Sequence, residues 1–597
     1  MKIGLEIHFQ LNTGKLFCRC SCDGNDKELF RFSRSLSSIT GESGNIDPAA
    51  LYEGTRSRNF TYIVTDNSCL VECDEEPPNS LNERALLTAV AVSKALHCTV
   101  PDKITYMRKI VVDGSNTSGF QRTAIIGFNG YIETSSGNVG ISTVCLEEDA
   151  ARKIEEHEND VIYSLDRLGI PLIEVSTEPD IKNKDHAVET ARNIGYLIMA
   201  TGNARRSVDS IRQDVNMSME YGRIEIKGVQ KLSLIRELLD YEEKRQRALS
   251  SAVDLIMERG GFDYDTFSFR DFSSYFLHTK SALVSSGLKH GKLYAALAKN
   301  LAGTLKNGEM RIGKEIADLM KSYGIKGILH SDELPAYGIT ADELTPVYRD
   351  LEKGKNDAVL MILTDDSHIN FLRERIADRI RKILSKDFSE TRGPDGEETR
   401  FLRPMPGKER MYPETDIPII DIAPEQLELA EKLKPPTVEE SISLLVKKFG
   451  ISKQIADGLV RELKMQSFIE FSSYYDPKEV ARIMQQTIPE LERKLKKSID
   501  DDKIREILKM AKNLKLDRYQ LQRAFEIAIS GGMSVEEIAN GHYLDELSSE
   551  ELRQIIMDAE NHGLIINEKN VVNEIRKISK KLFDPKSAIE IYNKLKK

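Results

Sequence analysis

The sequence predicts an α+β protein of several domains, and three observations carry that prediction. At 597 residues the chain exceeds what one hydrophobic core usually holds. Between residues 1 and 265, apolar side chains recur at every second position in short runs, the period of half-buried strands. Beyond Pro435-Pro436 they recur every three or four residues, the period of helices packed on one face.

The first strand sets the pattern. Ile3, Leu5, Ile7, Phe9 and Leu11 share one face, and Glu6, His8 and Gln10 share the other. A carboxylate and an imidazole two residues apart point the same way and can converge on one ion. A solvated strand face is the alternative. Seven cysteines follow in an uneven distribution: Cys18, Cys20 and Cys22, then Cys69 and Cys73, with Cys98 and Cys145 alone. The chain opens directly on a strand and has no run of ~20 apolar residues, so neither a secretory leader nor a membrane span is expected, and the location expected is cytoplasmic. There, clustered cysteines read as metal ligands before disulfides. The reading is a structural zinc held by Cys18, Cys20, Cys69 and Cys73, with Cys22 as the substitute ligand; packed, reduced thiols are the alternative.

Residues 80–96 read as an amphipathic helix with a Ser/Asn start. Arg108-Lys109 precedes Val111-Val112 and a turn-rich loop at 113–119. Glu147, Glu148 and Asp149 form an acidic run, and Glu174 lies opposite Ile173 and Val175 on a short strand. Ile211–Met217 and Arg223–Lys227 alternate and suggest a hairpin turning near Tyr221-Gly222. Tyr241–Gln246 falls on a helix. Residues 266–400 mix helices with Gly-containing strands, as a separate α/β domain would, and end in a flexible turn at 391–398. The rest is helical, with Gly450, Gly458, Gly531, Gly532, Gly541 and Gly563 suited to helix ends. Residues 571–597 hold eight basic and three acidic side chains, +5 in a chain of net charge −10. Such a tail suggests a local polyanion contact, with a solvated helix surface as the alternative.

The ordered motifs Gly4-Leu-Glu-Ile-His8, Leu146-Glu-Glu-Asp-Ala150, Pro171-Leu-Ile-Glu174, Arg212-Gln-Asp-Val-Asn216 and Tyr412-Pro-Glu-Thr-Asp416 resemble the kinase-like subunit of the tRNA-dependent amidotransferases, the B subunit of bacteria and the E subunit of archaea. The stretches 69–78 and 113–123 and the insertion favour the E type; the insertion looks like the GAD-type domain of bacterial aspartyl-tRNA synthetases, with Asp332–Thr340 as its typical run. The resemblance implies a mixed-sheet, cradle-like catalytic domain at 1–265 and 401–430, a GAD-like domain at 266–400, a helical domain at 431–540 and a YqeY-like, tRNA-binding helical tail at 541–597. The tail itself matches the family poorly.

The implied reaction takes glutamyl-tRNA(Gln), ATP and ammonia to glutaminyl-tRNA(Gln), ADP and phosphate, through phosphorylation of the γ-carboxylate. His8, Glu148 and Glu174 match the family's Mg²⁺ ligands, with Glu6 beside them. Arg212, Asp214, Asn216, Lys227, Arg245 and Gln246 are the implied ATP contacts, and Lys109, next to Arg108, is placed at the amidation end. No hydrolase signature is present, so ammonia is expected from an asparaginase-like D subunit through a tunnel, in a D–E heterodimer paired to a heterotetramer. A B-type enzyme acting also on aspartyl-tRNA(Asn), and a non-catalytic tRNA-binding or assembly factor, are the competing readings.

Overall fold

Ten strands form the sheet that carries the site. They are β1 (Lys2–Gln10), β2 (Met107–Ile110), β3 (Phe120–Ile132), β4 (Val139–Glu148), β5 (Pro171–Thr177), β6 (Ile211–Met219), β7 (Gly222–Val229), β8 (Glu390–Asp395), β9 (Glu398–Arg403) and β10 (Met411–Pro413). Their order is β9-β8-β7-β6-β1-β5-β4-β3-β2-β10, and every pair is antiparallel except β7–β8. The structure is a computed structural model. It describes residues 1–597 apart from 24–26, 38–39, 42–43, 48–49, 52–57, 158–159, 206–210, 406, 408–410, 532, 542, 562–566, 568–569, 580, 582 and 597.

The first strand lies in the middle of this sheet because both of its edges pair. Ile3, Leu5, Ile7, Phe9 and Leu11 are each at most 1% exposed. Each such side chain contributes roughly 1.5–3 kcal/mol by leaving water. The helix Lys184–Ala200 packs on β1 and is started by Asn183, whose side chain accepts from the His186 N–H. The helix Glu83–Ala95, capped in the same way by Asn82, covers β3 and β4. Helices therefore take the apolar face, and the polar face of β1 is left to form a cleft.

Residues 266–389 form a second, four-stranded antiparallel sheet from Phe269–Asp271, Lys292–Ala298, Ala358–Thr364 and Leu329–His330. Its core runs on into the helix Leu232–Glu258 through Leu249, Val253 and Ile256, so it belongs to one compact unit, Met1–Pro435, with the large sheet. The expected flexible turn at 391–398 is a strand hairpin instead: β8 pairs with β7, and β9 returns beside β8. Its Gly393-Pro-Asp-Gly396 run gives the segment its loop-like appearance, but the strand carries two charges into the core, Glu390 and Arg392. Both are buried and paired with Glu242, Arg245, Glu315 and Arg379. A buried charge tolerates a strand core when its partners come with it.

Pro436–Lys597 forms the other compact unit, and its described residues contain helices and no strand. Capping explains the boundaries. Thr437 and Glu440 make a reciprocal box, Ser452, Asp500 and Asp517 accept from first-turn N–H groups, and Gly450 ends a helix in the left-handed region at φ 64°. The last three helices share a core of Leu552, Ile556, Val571, Ile575 and Tyr592. Of the eight tail cations, Lys580, Lys597 and the Arg576 side chain lie outside the described residues.

Candidate functional site

The polar faces of β2 to β7 and β1 form one floor. Register aligns it: His8 faces Glu174 on β5 and Arg212 on β6, and Glu6 faces Asp214. The cleft above holds about 480 Å³. Its lining includes six carboxylates (Glu6, Glu147, Asp149, Glu174, Asp214, Glu225) and four permanent cations (Lys109, Arg212, Arg223, Lys227), 4 − 6 = −2 before His8 is counted.

His8 sits between two acids, with Nδ1 3.7 Å from Glu174 Oε2 and Nε2 3.8 Å from Asp214 Oδ2. Burial pulls its pKa down, but the bond to Asp214 and the charges of Glu174 and Asp214 outweigh it, and the net shift is upward. Burial would raise Glu174, yet Lys109 and His8 hold it down to about 2. Asp214 is likewise pulled far below the usual carboxylate range against its burial, chiefly by Lys227. Glu6 moves the other way, raised by burial and by the negative charge of Glu174. Lys227 bridges Asp214 and Glu225 at 2.7 Å each, and Lys109 reaches Glu147 at 3.2 Å and Glu174 at 3.7 Å. Arg212 donates to Asp149 at 2.6 Å, and the Asn216 amide donates to Glu6 at 3.1 Å.

Most of the site residues expected from the sequence meet here: Glu6, His8, Lys109, Glu174, Arg212, Asp214 and Lys227 line the cleft, with Asn216 held against Glu6. Three do not. Glu148 lies on the opposite face of β4, bonded to Arg122 at 3.3 Å, and Glu147 takes its place within reach of His8 and Glu174. The reason is the strand period: Val144 and Leu146 are buried, so Glu148 shares their side and Glu147 faces the cleft. Arg245 and Gln246 lie on the helix Leu232–Glu258, buried and outside the cleft lining, and Arg245 belongs to the ion cluster around Glu315. Asp149 and Glu225 are cleft residues that motif matching passed over.

The donor set suits a divalent cation. Ligand atoms of His8, Glu147 and Glu174 lie within 4.8 Å of one another, as do those of Glu6, His8 and Asp214, and the negative excess is what such an ion neutralises.

Cys18, Cys20 and Cys69 also converge, but with Glu72 as the fourth donor rather than Cys73 or Cys22. Glu72 Oε1 accepts from the Cys18 thiol at 3.0 Å, and its Oε2 from the Cys69 N–H at 2.8 Å. In the turn at 69–75, Glu72 comes back to the side of Cys69. Cys73, 2% exposed, turns into a core with Phe60 and Tyr62, and Cys22 is also buried. A bond from Cys18 lowers the Cys20 thiol to about 7. Three thiols and a carboxylate form a donor set that zinc accepts.

A polar cleft on a long, nearly antiparallel sheet, with helices behind it, defines a catalytic domain of a recognised class: residues 1–428 match the family described as the GatB/GatE catalytic domain. Over the whole chain, the similarity extends to archaeal proteins named as the E subunit of glutamyl-tRNA(Gln) amidotransferase. That of Thermoplasma acidophilum is 56% identical over 595 residues, covering 100% of this chain and 98% of the relative. That of Thermoplasma volcanium is 54% identical over 590 residues (99% of each), and that of Sulfurisphaera tokodaii 39% over 623 residues (100% and 98%). The chain belongs to the GatB/GatE family of tRNA-dependent amidotransferase subunits, alongside its E-type members. No helix among the described residues is long and apolar enough to cross a membrane.

Proposed function

We propose that this cleft phosphorylates the γ-carboxylate of glutamyl-tRNA(Gln) with ATP and passes the acyl phosphate to ammonia, giving glutaminyl-tRNA(Gln). The observation that carries the reading is the convergence of His8, Glu147, Glu174, Glu6 and Asp214 in one cleft, with Lys109 and Lys227 at its sides. A carboxylate has no good leaving group, and phosphorylation supplies one. Mg²⁺, held by His8, Glu147 and Glu174 with Glu6 and Asp214 beside them, would neutralise charge on the transferring oxygens.

Arg212 and Lys227 are the groups that hold the phosphates. Asp214 and Glu225 fix the Lys227 ammonium, and Asp149 fixes Arg212. Lys109, between Glu147 and Glu174, stands where negative charge develops as ammonia attacks. Cys18, Cys20, Cys69 and Glu72 would hold a structural zinc that closes the loop beside β1. Ammonia would come from an asparaginase-like partner, in a D–E heterodimer paired to a heterotetramer. The sheet at 266–389 is proposed as a GAD-like insertion that separates tRNA(Gln) from tRNA(Glu), with the helical segments gripping the tRNA body.

The test incubates the chain with ATP, Mg²⁺, ammonium and charged tRNA and identifies the aminoacyl group afterwards. Glutaminyl-tRNA formation supports the reading. Amidation of aspartyl-tRNA(Asn) alone, or tRNA binding with no ATP consumption, refutes it.

A further inference from the structure

The motif Tyr412–Asp416 has no place in the cleft chemistry, yet it closes a second charged cluster on the opposite side of the same strands. Glu414 follows β10, and its side chain has no exposed surface. Its Oε2 accepts from Arg122 Nε at 2.7 Å, and its Oε1 accepts from Arg108 Nη2 at 2.5 Å and from the Asp416 N–H at 2.8 Å. Arg122 reaches on to Glu148 at 3.3 Å. Both guanidinium groups lie over the Phe120 ring, 4.4 Å and 5.2 Å from its centre.

The other three members are each the chain neighbour of a residue on the cleft side. Arg108 precedes Lys109, Arg122 lies between Gln121 and Thr123, and Glu148 follows Glu147. On the cleft side, Thr123 Oγ1 donates to Glu147 at 2.6 Å, Gln121 Nε2 donates to it at 3.0 Å, and Lys109 lies 3.2 Å away. Strand alternation makes the two faces one mechanical object, so fixing Arg108, Arg122 and Glu148 below fixes Lys109, Thr123 and Glu147 above. Among the described residues only Glu414 bonds both arginines, and it lies 306 residues beyond Arg108 and 292 beyond Arg122.

We propose that Glu414 is a positioning residue for the cleft: acting through Arg108 and Arg122, it sets the spacing of Lys109 and Glu147 at the amidation end. This rests on the function proposed above. Groups that orient metal ligands from behind typically matter 10–100-fold.

The test uses the full chain. Glu414→Gln keeps the shape and removes the charge. Its Mn²⁺ affinity, read by titration, is expected to fall about tenfold. Its kcat for glutamyl-tRNA-dependent phosphate release is expected to fall by about the same factor, with the KM for ATP within about twofold because the Arg212–Lys227 end is untouched. On a Glu147→Gln background the Mn²⁺ loss should vanish, since the effect runs through Glu147. Glu390→Gln, which breaks a buried ion cluster elsewhere, should lower the melting temperature and leave Mn²⁺ affinity and kcat unchanged.

A Glu414→Gln chain that is merely less stable, with wild-type Mn²⁺ affinity and kcat, overturns the proposal, as does a full further loss on the Glu147→Gln background. If Glu414→Gln does not fold, Arg108→Gln at the half-buried rim carries the measurement: a loss of Mn²⁺ affinity supports the proposal and an unchanged value overturns it. Absence of ATP-dependent phosphate release in the wild-type chain would refute the function, while the Mn²⁺ measurements still decide the positioning role.

Discussion

Two dense groups of charge in the large unit, the cluster around Glu315 and the cleft, differ in balance. Around Glu315, three acids (Glu242, Glu315, Glu390) meet three arginines (Arg245, Arg379, Arg392), all at most 8% exposed. In the cleft, six carboxylates meet four permanent cations around open space. A neutral, mutually paired cluster is complete without a ligand and pins helices to strands. An unbalanced one facing a cavity is left for something else to complete. The contrast separates architecture from function among residues that look alike in composition.

The comparison breaks most sharply at His8 and Glu147. Replacing either by Ala should lower ATP-dependent formation of the activated glutamyl group by at least about a hundredfold, while tRNA binding and, at a pH above the His8 titration, the melting temperature hold or rise. Phosphate release from charged tRNA, measured beside thermal unfolding, checks it; unfolding in step with lost activity would erase the distinction. The opposite outcome is expected at Arg392→Met. Removing one cation leaves buried carboxylates uncompensated and should cost about 3–5 kcal/mol, visible in chemical denaturation, with the activity per folded molecule retained.

The pH dependence sharpens the contrast further. The His8 pKa is raised, so its pairing with Glu174 and Asp214 stabilises the cation-free fold below the ordinary histidine value near 6.5, and that contribution is lost as pH rises through the shifted value. The Glu174 and Asp214 contributions are present above the ordinary carboxylate range and are lost only as pH falls toward their depressed values, about 2 for Glu174. A divalent cation needs neutral imidazole, so its affinity should rise by up to about tenfold per pH unit across the His8 titration, where the stability of the cation-free chain declines. Titration of Mg²⁺ at several pH values beside melting curves tests both slopes, and His8→Asn should flatten them.

Smaller effects are expected outside the two clusters. About one zinc per chain should be lost in Cys18→Ser or Glu72→Ala and kept in Cys73→Ala, which removes only packing; metal analysis of the purified variants decides between Glu72 and Cys73. Truncation after Asn540 should weaken binding of both tRNAs by severalfold and flatten its salt dependence, since lysines act through phosphates. An unchanged slope in a salt titration would remove the tail from the interface.

Much of the site was legible because its strands announce their faces. Alternation at Ile3–Leu11 assigned Glu6 and His8 to one side, and alternation at Arg223–Lys227 assigned Lys227 to a polar face that also carries Glu225. Adjacent acids are harder: choosing between Glu147 and Glu148 needs the buried phase of β4, and motif matching named Glu148, which the fold places on the opposite face. Glu72 was missed because cysteine counting looks only at cysteines. The Gly393-Pro-Asp-Gly396 run also misled the reading of 391–398, where pairing with β7 and buried partners about 75 and 150 residues upstream make strands instead.

By itself the sequence determined the strand-rich and helical regions, the family and most of the cleft, because periodicity and motifs are local properties of the chain. The tertiary structure decided which of two adjacent glutamates faces the cleft, that Arg245 and Arg392 are braces, and that Glu414 meets Arg122. Those outcomes depend on which distant carboxylate arrives beside which guanidinium. A buried charge is tolerated only where its partner is already in place, and that pairing exists only once the chain has folded.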